Sequence, residues 1–347
     1  MYFASDNTGP ALPAVLKAVT EANTGYQPSY GEDQMMAEVR SLIRSAFEAP
    51  DAAVYLVATG TAANALALST LAHPWQTIFC TPLAHVHTDE CHAPEFFTGG
   101  AKLSLVGESD RMTPEQLAAR IESWTYGDVH VSQRGPVSIT QVTEMGHVYS
   151  LNEINTLTSL AKTYRLPVHM DGARFANALA ALDCTPAEMT WRAGIDVLSF
   201  GGTKNGCMGV EAVVFFDPKH AWEFELRRKR AAHLFSKHRY LSAQMLGYLR
   251  DGLWRETAKT ANAACARLTA GLREVPGAEF QNDPQANMIF ATLPRATHQR
   301  LHDAGAAYGL MAPLKGDDPA EALPMRLVCD WSMTDALIDQ FLEIAKG

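Results

Sequence analysis

Lys204 sits in the segment DVLSFGGTKNG, residues 196–206. An apolar run of β type ends at Ser199, Gly201 and Gly202 follow, and Thr203, Lys204 and Gly206 come next. A lysine on a small-residue turn just past a strand is held near the carboxyl edge of a sheet, where open α/β folds bind ligands. Lysine forms Schiff bases with aldehydes, and it reacts as the neutral amine. A second segment, PVHMDGARFANAL (167–179), ends an apolar run on Asp171 and opens a helix through Gly172, Ala173 and Arg174. A carboxylate there can face the same crevice as Lys204. Singly, each residue has an ordinary explanation. Most lysines are solvated, and Asp before a helix is a common N-cap. Together they place an amine and an acid at two strand ends.

That pair suits pyridoxal phosphate. The amine takes the aldehyde carbon, and a carboxylate beside the pyridine nitrogen keeps it protonated, because an opposite charge favours the charged form. The protonated ring is then an electron sink for a carbanion at an amino acid's Cα. A third segment, ATGTAANALAL (58–68), supplies a phosphate site. Its strand ends at Ala58, and Gly60, Thr61 and Ala62 open a helix whose first amides and dipole favour an anion. A Gly-Thr pair is also an ordinary helix start. Residues 85–92 read His-Val-His-Thr-Asp-Glu-Cys-His. Imidazole, carboxylate and thiol together can hold a metal. The spacing of zinc sites is missing and no second cluster exists, so no metal is expected. His85 is the functional candidate, because it follows the strand after the phosphate-binding helix. His87 and His92 read as packed or surface residues.

These groups need a scaffold that brings several strand ends together. Strands are expected at 52–58, 77–81, 101–106, 138–142, 167–171, 196–200 and 211–216. Helices are expected at 34–48, 61–72, 113–124, 151–164 and 174–181. The alternation means crossover connections and a mostly parallel sheet buried between helices. After about residue 240 the pattern changes to one long helical stretch (241–274), a strand (287–293), a helix near 295–308, a strand (324–330) and a final helix (334–345). The reading is a large domain over 1–245 and a small C-terminal α+β domain over 246–347.

Composition sets outer bounds. The 347 residues are 47% hydrophobic and 19% charged, enough for a large core. A net charge of -9 argues against nucleic acid or an anionic membrane as partner. No apolar stretch is long and uncharged enough to span a bilayer. The start, MYFASDNTGP, lacks the signal-peptide pattern. The six cysteines are scattered with no C-x-x-C pair, which reads as free thiols of a reducing compartment, so a cytoplasmic location is expected.

Strand-Asp-x-Ala-Arg, then Ser-x-x-x-Thr-Lys-Asn-Gly, with an upstream Gly-Thr helix start, resembles the fold-type I PLP-dependent enzymes of the aspartate aminotransferase superfamily. More narrowly, the chain resembles the low-specificity L-threonine aldolases. The matching pieces run almost from end to end: Ser5 to Thr8, Tyr30 to Asp33, Gly60 to Asn64, His85 to Glu90, Asp171 to Arg174, Thr203 to Gly206, Asn287 to Phe290 and Met325 to Val328.

The resemblance implies a fold-type I, transferase-like α/β architecture. It also implies retro-aldol cleavage of L-threonine, L-allo-threonine and other β-hydroxy-α-amino acids, such as β-phenylserine, to glycine and an aldehyde. Lys204 would carry the Schiff base and Asp171 would pair with the pyridine nitrogen. Gly60, Thr61 and Thr203 would hold the cofactor. His85 would lie against the ring, contact the substrate side chain, and act as base or position a water that does. Glu90 would be its acidic partner, with Asp89 the other candidate. Ser5, Arg174 and Arg326 would grip the substrate carboxylate, since the arginine fork matches that group. A homo-oligomer is implied, a dimer of dimers with active sites at subunit interfaces. The basic segment 227–244 departs from the family pattern: Arg228, Lys237 or Arg239 would reach a neighbouring site, or the run is a solvated or interface face. The rival readings are another fold-type I reaction at Cα, by an aminotransferase or a β-eliminating lyase, and a non-catalytic PLP-binding protein.

Overall fold

All seven apolar runs of the N-terminal two-thirds form one sheet in the computed structural model, which describes residues 1–347. They are β1 (Ala53–Val57), β2 (Gln76–Cys80), β3 (Lys102–Leu105), β4 (Gln133–Thr140), β5 (Val168–Gly172), β6 (Val197–Gly201) and β7 (Glu211–Phe215), in the order β1-β7-β6-β5-β4-β2-β3. Strands β1, β5, β6 and β7 are buried along their whole length, as near-continuous apolar runs require when helices cover both faces. The pairs β2/β3, β2/β4, β4/β5 and β5/β6 are parallel. Strand β7 is antiparallel to both β6 and β1. A short return can join only antiparallel strands. The return from β6 to β7 is the turn that carries Lys204, so the lysine projects from the carboxyl end of β6.

The crossovers run through the helices Gly60–Leu71, Pro114–Glu122, Leu151–Thr163 and Phe175–Leu182, and the helix Gln34–Ala46 precedes β1. Thr113 with Gln116, and Ser150 with Glu153, form reciprocal capping boxes that fix where two of them begin.

A second sheet holds β8 (Glu279–Phe280), β9 (Met288–Pro294), β10 (Gly309–Leu310) and β11 (Ala322–Val328), all antiparallel, in the order β10-β11-β9-β8. Its own core contains Phe3, Leu268, Met325 and Phe341. The helix Leu253–Leu272 joins the two units. Its Trp254 and Ala258 pack in the large core, and its Cys265, Leu268 and Leu272 in the small one.

The expected single helix over 241–274 is two helices, Arg239–Leu249 and Leu253–Leu272. The break falls at Asp251 (φ 55) and Gly252 (φ 70), a pair that adopts the left-handed region at low cost. Helices Pro13–Ala22 and Ala221–Arg230 were not anticipated. The latter is mostly charged, and only Phe224 and Arg228 of it are buried. The N-terminal segment laces the two units together. Phe3 N–H donates to Ala307 O (2.7 Å), Val328 N–H donates to Phe3 O (2.8 Å), and Leu12 N–H donates to Gly206 O (2.8 Å) beside the lysine turn. No helix is long and apolar enough to cross a membrane.

Close backbone packing sets where the lysine turn starts. A Cβ on Gly201 would collide with the carbonyl oxygens of Ala173 and Gly172 on the neighbouring strand end. Gly201→Ala is expected to destabilise the cofactor-free chain by about 1–3 kcal/mol, the usual cost of overpacking. Urea unfolding checks this, and an unchanged midpoint contradicts it.

Candidate active site

The carboxyl edge of the large sheet opens into a cavity of about 410 Å³. Gly60, Thr61, His85, Asp171, Arg174, Thr203 and Lys204 all line it, joined by Asn7, Asn64, Thr140, Glu144 and Glu211. In register across the sheet, Asp171 lies between Thr140 of β4 and Ser199 of β6.

Asp171 is only 3% exposed. Its Oδ2 accepts from Asn64 Nδ2 (2.8 Å) and its Oδ1 from the Ala173 amide (3.0 Å). It is not a helix cap, because the helix begins at Phe175 with Arg174 before it. No cationic side chain pairs with it. His169, two residues earlier, lies between the hydroxyls of Ser138 (2.9 Å) and Ser199 (3.0 Å), and burial pushes its pKa down to about 4, so it is neutral.

Lys204 lies in the single 3-10 turn Thr203–Asn205. The turn is pinned on both sides. Gly202 N–H donates to Glu211 Oε2 (2.7 Å), Val210 N–H donates to Thr203 Oγ1 (3.2 Å), and Asn205 Nδ2 donates to Tyr248 OH and Trp254 O (both 2.8 Å). The Arg174 guanidinium, and then burial, hold the Lys204 pKa below the usual ammonium value. That favours the neutral amine a Schiff base requires. Burial pushes Glu211 beside it up to about 7.

The helix Gly60–Leu71 meets the cavity with its N-terminus. Thr59 caps it, its Oγ1 accepting from the Ala62 amide (3.2 Å), and the amides of Gly60 and Thr61 precede the first intrahelical bond. A Cβ on Gly60 would point into open space, so backbone is presented there with room in front of it.

His85 opens the short helix His85–Thr88. Its amide donates to Glu144 Oε1 (2.8 Å), and its ring Nδ1 lies 2.9 Å from Glu90 Oε1. The hydrogen bond to Glu90 raises the His85 pKa, against the effect of burial. Burial in turn raises Glu90. Asn64 Nδ2 donates to both Glu90 (2.8 Å) and Asp171 (2.8 Å), tying the histidine and the aspartate into one network.

Other sequence candidates fall outside the cavity wall. Glu90 sits behind His85. Ser5 Oγ accepts from the Asn7 amide (3.1 Å), and Asn7 itself is the lining residue. Arg326 on β11 donates to Ala4 O (3.3 Å). Arg174 lines the cavity, yet its fork is occupied by Asp6 (Nε–Oδ2 2.7 Å, Nη2–Oδ1 2.9 Å). Burial works against the Asp6 carboxylate, but Arg174, with Lys204 and Asn287, outweighs it and keeps the group below the usual range. Arg228 does not reach outward. It is 2% exposed, packs 5.0 Å from the Tyr55 ring centre and donates to Leu56 O (3.3 Å). Arg239 donates to Gly25 O (2.9 Å), and Lys237 is exposed. His92 is exposed and faces Glu95 (3.2 Å) rather than His85. Sequence reading gave no role to Asp6 and Asn64, although both lie in the matching pieces Ser5–Thr8 and Gly60–Asn64, and it missed Glu144 and Glu211, which carry no motif signal of their own.

A family model described as beta-eliminating lyase matches residues 2–294. A Pseudomonas sp. protein named low specificity L-threonine aldolase is 40% identical, over 97% of this chain and 94% of its own length. The chain belongs to the threonine aldolases of the beta-eliminating lyase family. A low specificity L-threonine aldolase of Pseudomonas aeruginosa is also 40% identical, over 99% of this chain and 96% of its own length. The structure of a Leishmania major threonine aldolase superposes with a TM-score of 0.90 at 26% identity, covering 99% of this chain and 98% of that one. A Sphingomonas wittichii serine palmitoyltransferase (TM-score 0.73, 18% identity, 100% and 86% covered) shares the fold.

Threonine aldolases are fold-type I pyridoxal phosphate enzymes, and the residues of this chain fit that group. A buried carboxylate with no cationic partner suits a protonated pyridine nitrogen. An amine held below its ordinary pKa suits the aldehyde, and a glycine-opened helix N-terminus suits the phosphate. For this aldolase, Glu90→Gln is expected to lower the His85 pKa, because the charged partner that raises it is gone. NMR titration of the labelled His85 ring tests this, and a pKa that stays in place contradicts it.

Proposed function

We propose that this chain cleaves L-threonine, L-allo-threonine and related β-hydroxy-α-amino acids such as β-phenylserine to glycine and an aldehyde, using pyridoxal phosphate on Lys204. The observation that carries the reading is the meeting of Asp171, Lys204, His85 and the Gly60–Thr61 amides on one cavity. When bound, the cofactor supplies a sink for the electron pair left at Cα as the Cα–Cβ bond breaks. Asp171 keeps the ring nitrogen protonated. Gly60 and Thr61 hold the phosphate, with Thr203 beside the lysine. His85, oriented by Glu90, supports the ring and meets the substituent on Cβ, where the hydroxyl proton must leave.

The substrate carboxylate is assigned to Arg174 on the cavity wall, joined by Ser5 and Arg326, which lie outside that wall. Arg174 is pre-oriented there by Asp6. Residues 1–245 form the cofactor-binding unit in this reading, and 246–347 form the small domain; the separate sheet and core of the latter support it. The active enzyme is a cytoplasmic dimer of dimers, a proposal consistent with six free cysteines and exposed Trp222, Leu226 and Phe235.

Incubation with L-threonine and β-phenylserine tests the reaction. Glycine plus acetaldehyde or benzaldehyde is expected. A keto acid instead would favour the aminotransferase or β-eliminating alternative. Lys204→Ala is expected to remove nearly all cleavage, along with the visible absorbance that borohydride bleaches in the wild type. Retention of that absorbance in the variant contradicts the assignment.

A further inference from the structure

Glu144 has no part in the chemistry described so far. It follows β4 in the irregular stretch before the helix Leu151–Thr163, and it lines the cavity between Thr140 and His85. Only one of its carboxyl oxygens is used. Oε1 accepts from the His85 amide (2.8 Å) and from Thr140 Oγ1 (3.0 Å). Oε2 is shielded from solvent and has no hydrogen-bond partner. A buried polar atom without a partner is costly, and its retention calls for a function.

We propose that Glu144 is a catalytic residue whose carboxylate, on the cavity wall with one oxygen unpartnered, accepts the proton of the substrate's β-hydroxyl. The proposal rests on the aldolase reading above and names the base that reading leaves open. In the cleavage direction the O–H proton passes to Glu144, the oxygen lone pair becomes the aldehyde C=O, and the Cα–Cβ pair moves to Cα. The same carboxylic acid returns the proton in the synthetic direction. His85, whose Nδ1 is bound to Glu90, has a different task in this proposal. It orients the substrate over the cofactor, and its amide aims Glu144.

The surroundings suit a base working near neutral pH. Burial pushes Glu144 up to about 7, the nearby Asp171 charge adds to this, and the hydrogen bonds from His85 and Thr140 oppose it. The other titratable groups close by are Cys80 at the end of β2, pushed up to about 12 by burial, and Tyr149, also raised by burial. Both stay neutral at working pH, and the charged groups on this side are His85 with Glu90, Asp171, Asp110 bound by the neighbouring Thr143, Arg111 beside Tyr149, and Glu95 near Cys80.

Glu144→Gln keeps the Oε1 acceptor and removes the titration. Cleavage of β-phenylserine is expected to fall by on the order of 10² to 10⁴, the usual worth of a positioned base. Exchange of the glycine α-proton with D2O needs no hydroxyl deprotonation, and it should change by less than about threefold on the same scale. The acid limb of kcat/KM should vanish. Thr140→Val leaves Glu144 in place but removes a hydrogen bond that favours its charged form, so the limb should move to higher pH.

A third readout needs no cofactor. A carboxyl raised in the folded state loses stability as pH rises from its unfolded value through about 7. The cofactor-free Glu144→Gln chain should therefore gain Tm over the wild type above that pH, and not below its unfolded pKa. Cleavage and exchange falling together, an acid limb that survives in Glu144→Gln, or coincident Tm-against-pH curves would each overturn the proposal. A wild type that forms no glycine and aldehyde defeats the aldolase reading instead, before any variant is compared.

Discussion

A carboxylate buried without a cation governs this molecule. Asp171 is 3% exposed at the end of a central strand and is held only by an amide side chain and a backbone N–H. A lone buried charge is expensive unless a partner compensates it. Every charged group close enough is committed elsewhere or neutral. Arg174 is forked onto Asp6, His169 is neutral between two serines, and Arg174 and burial lower the pKa of Lys204. The cavity in front of Asp171 is therefore a place for a cationic ring. The mostly parallel sheet, with β5 between β4 and β6, sets that carboxylate beside the lysine turn.

The rest of the site keeps this arrangement stiff. Asn64 links Asp171 to Glu90, and Glu90 fixes the His85 ring. Glu211 and Thr203 clamp the turn on which Lys204 stands. Asp6 holds Arg174 from the N-terminal segment, and Asn287 of the small unit also donates to Asp6 (3.1 Å). Movement of the small unit against the large one would thus be felt at Arg174 through a single shared carboxylate. These supports act on the orientation of side chains, which is where preorganised catalysis gains most.

Much of this was legible in the residues. All seven large-sheet strands overlap the expected runs, although β4 begins at Gln133, well ahead of the expected 138 and in the polar stretch Gln-Arg-Gly-Pro, and the main cofactor residues follow strand ends with Gly, Ala or Thr beside them, where side-chain bulk is excluded. What stayed hidden depends on contacts far apart along the chain. Asp6 and Arg174 form a pair that no local pattern signals. Asn64 sits in the middle of an alanine-rich helix and reads as core. Glu144 lies in an irregular stretch where no periodicity points to a face. Arg228 looked like one of several surface cations, yet its aliphatic stem and guanidinium pack on Tyr55. The helix break at Asp251–Gly252 was read through because helical stretches flank it, although the Asp-Gly pair is itself a turn signal.

The central claim is that Asp171 is the acid that keeps the cofactor ring charged. Nitrogen-15 NMR of the enzyme loaded with pyridoxal phosphate labelled at the pyridine nitrogen reads that proton directly. The account predicts a protonated nitrogen across the neutral and mildly alkaline range in the wild type, and its loss in Asp171→Ala with Lys204 still bonded to the cofactor. An unprotonated nitrogen in the wild type, or a protonated one that survives the substitution, would contradict it.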